Sequence, residues 1–348
     1  MQTIRLLRPD DWHLHLRDGA QLASVVPFTA QQFARAVIMP NLKPPVTTVA
    51  QAQSYRERIL QAVPAPLRFE PLMTLYLTDT TTPQEIRAAR ESGFIVGAKL
   101  YPAGATTHSD AGVTAIEKIY PALEAMEDCG LILQVHGEVT DHDVDVFDRE
   151  CVFIDRILVR VAERFTRLKI VFEHVTTREA VQFVTSARPG VGATITPQHL
   201  LLNRNAIFQG GIRPHHYCLP VLKRERDRRA LIEAATSDDA RFFLGTDSAP
   251  HARHTKEAAC GCAGVFSAHA AIELYAEAFE AAGRLDRLEA FASLRGPDFY
   301  DLPRNTDRIT LERVAWTPPA SYTFATDEIV PFRAGESIAW RLAQGTAA

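Results

Sequence analysis

Eight short runs of aliphatic and β-branched residues recur along this chain, with helix-like stretches between them, and this rhythm constrains the fold more than any other feature. The runs are IRLLRPDDWHLHL (4–16), FARAVIMPN (33–41), FEPLMTLYLT (69–78), FIVGAKLYP (94–102), LILQVHGE (131–138), KIVFEHVT (169–176), VGATITPQH (191–199) and RFFLGTDSAPH (241–251). Among the intervening segments are TVAQAQSYRERILQAV, TPQEIRAARESG, VTAIEKIYPALEAMEDCG, FIDRILVRVAERF and RDRRALIEAATS. Several open on Thr, Asp or Pro and close near Gly, the signals that start and stop helices. Continuously apolar strands alternating with helices form a parallel sheet covered on both faces. Eight such units predict a closed (β/α)8 barrel of the TIM type, one domain over residues 1–348 with a short C-terminal extension. A doubly wound open sheet more often stops at fewer strands, and no G-x-G-x-x-G follows the first run. The connection HLLLNRNAIFQGGIRPHHYCLPVLK, between the seventh and eighth runs, is longer than a βα loop needs, which marks it as functional.

With 348 residues, 46% of them hydrophobic and 23% charged, the chain can build a large core. A net charge of −4 gives no global attraction to nucleic acid or an anionic membrane, so an anionic substrate has to be held by local cations. The basic run KRERDRR (223–229) includes two acids and reads as the solvated face of a helix. No apolar run approaches the roughly 20 residues that span a bilayer. MQTIRLLRPDDW lacks the apolar core of a signal peptide. The cysteines at 129, 151, 218, 260 and 262 do not read as a disulfide framework, and the Cys260–Gly261–Cys262 pair is too isolated for a zinc knuckle. A cytoplasmic protein with reduced thiols is expected.

The polar residues fall where a barrel places its chemistry. In DWHLHLRDG, His13 and His15 share one face of a strand, because side chains alternate with period 2. That pairing suits a metal, or the wet face of an edge strand. Barrel active sites sit at the C-terminal ends of the strands. There the first run carries His13 and His15, the second Asn41, the fourth Lys99, the fifth His136 and the sixth His174; the eighth carries Asp247, with His251 just beyond. Singly, each has an ordinary reading: Lys99 can snorkel, His136 and His174 can be satisfied core histidines, and Asp247 can cap a turn. Together they would be costly to bury unless a cation bound them. Histidine and aspartate suit zinc, whereas a protonated lysine does not. A desolvated lysine loses its proton readily, and the neutral amine can take up carbon dioxide to give a carbamate whose two oxygens can bridge two cations. Two such metals can share a hydroxide of near-neutral pKa.

The order His-x-His, Lys, His, His, Asp resembles the binuclear amidohydrolase superfamily. The segments DWHLHLRDG, VIMPNLKPP, GAKLYPAGATT, VHGE, FEHVTT, RPHHYCLPVLK and GTDSAPH are similar to the dihydroorotase family, specifically its short monofunctional type, from about residue 5 to residue 300. The last forty or so residues carry no such feature. The resemblance implies a zinc-dependent cyclic amidase that interconverts N-carbamoyl-L-aspartate and L-dihydroorotate in pyrimidine biosynthesis. It implies two Zn2+ per subunit of a homodimer, with His13, His15 and Asp247 on one and His136 and His174 on the other. Lys99, as N6-carboxylysine, and a hydroxide bridge them. The hydroxide attacks the ring amide, and Asp247 serves as its catalytic base and then acid. Arg17, Asn41 and His251 correspond to contacts with the substrate carboxylate. Backbone groups near Leu219 and Ala263 correspond to contacts with the ring, and the loop bearing Thr106 and Thr107 corresponds to a lid, with Gly104 as a hinge. Hydantoinases are the near alternative, but their substrates would need no clamp of Arg17 and His251; Arg17 could then simply pair with Asp11 or Asp18. A metal-free scaffold barrel would have no reason to keep all six ligands. Related cyclic amidases carry a β-sandwich built from both sides of the barrel. Only twelve residues precede His13, too few to supply strands to one.

Overall fold

The apolar runs become strands. The computed structural model describes residues 2–259 and 261–343; Cys260 and the two ends of the 1–348 span lie outside the described residues. The strands are β1 (Thr3–Leu7), β2 (Asp10–Leu14), β3 (Arg35–Ile38), β4 (Glu70–Tyr76), β5 (Ile95–Leu100), β6 (Ile132–Val135), β7 (Ile170–Phe172), β8 (Val191–Ile195), β9 (Phe242–Leu244), β10 (Arg308–Glu312), β11 (Tyr322–Phe324), β12 (Asp327–Ile329) and β13 (Arg341–Leu342). Strands β2 to β9 form one parallel sheet in sequence order. It closes on itself where Leu14 pairs with Ser248. There Asp247 N donates to His13 O (2.9 Å) and His15 N to Ser248 O (3.1 Å). The sheet is buried on both faces, as the continuously apolar runs require. The interior is packed rather than open: Trp12, Val37, Leu72, Ile132, Val171 and Phe243 form one cluster with Tyr300. Trp12 stacks on Tyr300 at 4.3 Å between ring centroids. Gly296 lies so close beneath Trp12 that a Cβ there would overlap the indole.

Helices between the strands begin where threonine offers a cap. Thr48 and Gln51 form a reciprocal capping box on the helix Val49–Gln61. Thr82 followed by Pro83 opens Pro83–Glu91, and Thr177 opens Arg178–Ser186.

The first run differs from expectation. It breaks at Pro9, which has no N–H to give a ladder, into β1 and β2. β1 leaves the barrel and pairs antiparallel with β10, from Thr3↔Glu312 to Leu7↔Arg308, and β10 pairs with β13. The residues before His13 therefore do supply a strand to a small sheet drawn from both sides of the barrel. The C-terminal extension is also more than a tail. It contributes β10 to β13 and buries Phe324, Ile329, Phe332, Ile338 and Trp340. The helix Ala271–Ala281 holds it with a row of carboxylates on one face. Ala339 N donates to Glu277 Oε1 (2.7 Å), Trp340 Nε1 to Glu280 Oε2 (3.2 Å) and Leu342 N to Glu273 Oε1 (3.2 Å).

Candidate metal centre and substrate pocket

The mouth of the barrel gathers the residues that the sequence singled out. His13 lies in β2, and His15 follows just after it. Lys99 is in β5, His136 follows β6, and His174 and Asp247 come just beyond β7 and β9. All six are buried. His13 Nε2 and His15 Nε2 are 3.2 Å apart and lie 3.3 Å and 3.1 Å from Asp247 Oδ1. The rings of His13 and His174 are 5.0 Å apart, and those of His136 and His174 are 4.9 Å apart. Asp11, buried under this group, accepts from Thr246 N (2.9 Å), Thr246 Oγ1 (2.6 Å) and His13 N (3.2 Å). It thus fixes β2 against the turn that presents Asp247. Arg17, His174 and Asp247 hold left-handed backbone, with φ of 62°, 42° and 46°. Such conformations cost a non-glycine residue about 1–3 kcal/mol and concentrate at functional sites.

Two carboxylates join the cluster that sequence reasoning passed over. Glu173 Oε2 contacts Lys99 Nζ and lies 3.2 Å from His13 Nδ1. Glu138 Oε2 lies 2.9 Å from His136 Nε2, the arrangement that orients a metal-bound imidazole from behind. Both sat in plain view, in FEHVTT and VHGE. Alternation along β7 carries Glu173 to the same inner side as Val171; His174 is the residue that departs from alternation, where the backbone turns with φ of 42°.

Burial sets the protonation states. It pulls His15 down to about 3, and it lowers His13, His136 and His174, so the four imidazoles are neutral donors. Burial works to raise Asp247, but the adjoining His13 and His15 outweigh it and hold the carboxyl well below its usual range. The Lys99 amine is driven well below its usual range by burial, against the pull of Asp247. A metal fits this donor set. Ligand atoms of His13, His15 and Asp247 lie within 4.8 Å of one another, as do those of His13, Glu173 and His174. His15 Nδ1, His174 Nδ1 and Glu173 Oε1 are buried without a hydrogen-bond partner. The second group contains Glu173, which the sequence reading did not include.

Beside the cluster lies a buried guanidinium. Arg17 Nε donates to Pro250 O (2.8 Å), and Nη2 lies 2.8 Å from His251 Nε2. Neither acid considered as its partner takes that part: Asp18 pairs with Arg58 (2.7 Å), and Asp11 is occupied by Thr246. Among the described residues, no carboxylate pairs with Arg17. His251 Nε2 also lies 2.9 Å from Ala263 O. Kept neutral by burial and by Arg17, that nitrogen can accept from Arg17 or donate to Ala263, but not both. Asn41 Nδ2 donates to Thr107 O (3.0 Å), and Thr107 Oγ1 to Ala263 O (3.3 Å). The loop bearing Thr106 and Thr107 thereby lies across the mouth. The pocket it covers, lined also by Leu219, Ala263 and Tyr101, has room for one water, about 20 Å³.

The sequence profile of the Amidohydrolase family matches residues 11–316. A dihydroorotase of Azoarcus sp. (strain BH72) is 69% identical over 344 residues, covering 99% of this chain and 100% of that one. The chain belongs to the dihydroorotase family. Its fold agrees with that of solved dihydroorotases. The enzyme of Campylobacter jejuni superposes with a TM-score of 0.90 at 38% identity, covering 98% of each chain. That of Saccharomyces cerevisiae, in complex with 5-fluoroorotic acid, gives 0.91 at 34%, covering 99% of each. Family membership and the two donor groups together indicate a metal-dependent amidohydrolase. Among the described residues, no helix is long and apolar enough to cross a membrane.

Proposed function

We propose that this chain interconverts N-carbamoyl-L-aspartate and L-dihydroorotate, the step of pyrimidine biosynthesis that closes the dihydroorotate ring, at the mouth of its barrel. The observation that carries this reading is Arg17, a buried guanidinium that no carboxylate pairs among the described residues, beside a cluster of neutral imidazoles and an ionised aspartate. A guanidinium so placed suits a ligand that brings a carboxylate. Dihydroorotate brings one.

His13, His15 and Asp247 would hold one zinc, and His136 and His174 a second, with Lys99 as a carbamate between them; Glu173 and Glu138 support His13 and His136 from behind. Bound there, the metal pair supplies Lewis acidity towards the amide carbonyl and lowers the pKa of the attacking water. Arg17, Asn41 and His251 orient the substrate by its carboxylate, which decides which carbonyl lies over the cluster. In hydrolysis the water oxygen bonds to the ring carbonyl carbon and the ring C–N bond breaks. Asp247 takes the water proton and delivers it to the departing nitrogen. Ring closure reverses each transfer. The Thr106–Thr107 loop excludes bulk water when closed and has to open for exchange. A cytoplasmic homodimer is the assembly this reading takes from the family. The test is hydrolysis of dihydroorotate by the purified chain, with metal content measured on the same sample. Turnover that tracks metal supports the reading, and absence of turnover in fully loaded protein refutes it.

A further inference from the structure

Lys256 is buried, and its burial has no counter-ion to explain it: no carboxylate pairs with it among the described residues, and the groups that influence it are the Arg17 guanidinium and the thiols of Cys218 and Cys262. What it has instead is carbonyls. Its Nζ donates to Tyr217 O (2.8 Å), Cys262 O (2.8 Å) and Gly264 O (2.6 Å). An ammonium has three N–H groups, and all three are used. The acceptors come from two separate parts of the chain. Tyr217 lies two residues before Leu219, in the long connection after β8, whereas Cys262 and Gly264 flank Ala263. Gly264 N donates to Tyr217 O (3.0 Å), so the two parts also touch directly. Gly264 has φ of 152°, and a Cβ there would meet Ala249 O at 2.6 Å and the His251 ring at 2.9 Å. The close seating of this segment against His251 therefore needs glycine.

We propose that the Lys256 ammonium is a positioning group that holds the Leu219 and Ala263 backbones in register with each other as one wall of the substrate pocket. The inference rests on the proposed function, because it takes the substrate ring to lie against those two backbones, both of which line the pocket. Burying an unpaired charge is costly, and a neutral side chain would be cheaper if packing were the only need. Three donors diverging from one atom can fix three carbonyls from two segments, which no apolar side chain can do. Among the described residues, no hydrogen bond or ion pair joins Lys256 or its three acceptors to His13, His15, Lys99, His136, His174 or Asp247, so loosening this wall should weaken the hold on the ring and leave the metal cluster and its proton transfers intact.

The same geometry gives a pH signature. Burial brings the Lys256 pKa down to about 8, with Arg17 adding to the fall and Cys218 and Cys262 opposing it. The Tyr217 ring centroid lies 5.7 Å from Nζ, and His215 and His251 feel the same positive charge. A neutral amine keeps two N–H groups and turns a lone pair towards the third carbonyl, so the wall should loosen as pH rises past that point.

The experiment measures kcat and KM for dihydroorotate hydrolysis in Lys256→Met and Lys256→Gln, with metal content. It also measures KM in the unaltered chain from about pH 7 to about pH 10. The inference expects KM to rise about tenfold in Lys256→Met and less in Lys256→Gln, whose amide keeps two donors, while kcat changes less than about threefold and metal content stays full. In the unaltered chain KM should climb above about pH 8, and in Lys256→Met that climb should be absent. An unchanged KM in either folded variant overturns the inference. So does joint loss of kcat and metal, which would mark a merely structural lysine. If neither variant folds, the unaltered chain decides alone, and a level KM to about pH 10 overturns the inference. Failure of the unaltered chain to hydrolyse dihydroorotate would instead sink the proposed function itself.

Discussion

Replacing Arg17 with methionine separates the substrate clamp from every structural role the residue could have. Methionine keeps the length of the stem and removes all five N–H donors. In the structure Nε is committed to Pro250 O and Nη2 faces His251, and no carboxylate among the described residues takes the rest of the fork. A charge-assisted contact of this kind contributes about 1.5–3 kcal/mol, so kcat/KM for dihydroorotate should fall about ten- to a hundredfold. Stability should move little and in the opposite sense to a broken ion pair. Removing one partner of a buried salt bridge costs about 3–5 kcal/mol. Here the variant loses the bond to Pro250 O and the contact with His251, about 1.5–3 kcal/mol for a charge-assisted bond, and is relieved of an unpaired buried charge, which offsets that loss. Steady-state kinetics, a thermal melt and metal analysis on one preparation read all three quantities. An unchanged kcat/KM would refute the clamp and favour a hydantoinase-like substrate. A lower Tm by many degrees would show that Arg17 holds the fold.

Lys99→Ala should lose most activity and part of the metal, and Lys99→Arg, which cannot form the carbamate, should behave alike; wild-type turnover in Lys99→Arg would remove the bridge. Replacing Thr106 and Thr107 together with valine keeps shape and removes both hydroxyls. kcat should drop about tenfold or more with Tm unchanged, and normal turnover would end the loop's chemical role. Glu273 is fully buried beneath β13, and burial raises its pKa from 4.5 to about 7. The folded state therefore keeps this proton more tightly than the unfolded chain, so stability is full below about pH 4.5 and declines by about 3 kcal/mol as pH rises through about 7. Glu273→Gln should flatten that decline in melts at about pH 5 and about pH 8, and a pH-independent difference from the parent chain would contradict it.

The barrel was legible because its strands are buried on both faces, so the runs themselves carry the signal. The ends of the chain were not. β11, β12 and β13 have three, three and two residues, too few for alternation to register. β1 was hidden because it runs on into β2 with only Pro9 to divide them. At the site, the residue types ending the strands named His13, His15, Lys99, His136, His174 and Asp247 without any geometry. Glu173 and Glu138 stand two residues after the inward Val171 and His136, so alternation alone placed them on the inner face, and they were passed over. What local sequence hides is the left-handed turn at His174, fixed by tertiary packing, which brings that histidine and its neighbour Glu173 to one cluster. The pairing of Arg17 could not be read either, since Asp11, six residues before it, and Asp18, next to it, both stood as partners. Only the observed partners, Thr246 for Asp11 and Arg58 for Asp18, free the guanidinium for a ligand.

The central claim is that a metal pair held by this histidine, lysine and aspartate cluster opens and closes the dihydroorotate ring. Metal content and dihydroorotate turnover, followed on one sample as it is stripped by a chelator and reloaded with zinc in bicarbonate, test it most directly. The account predicts two zinc ions per chain at full activity, loss of turnover on stripping and recovery in step with reloading. Full turnover by the stripped chain would contradict it, as would two bound metals with no turnover.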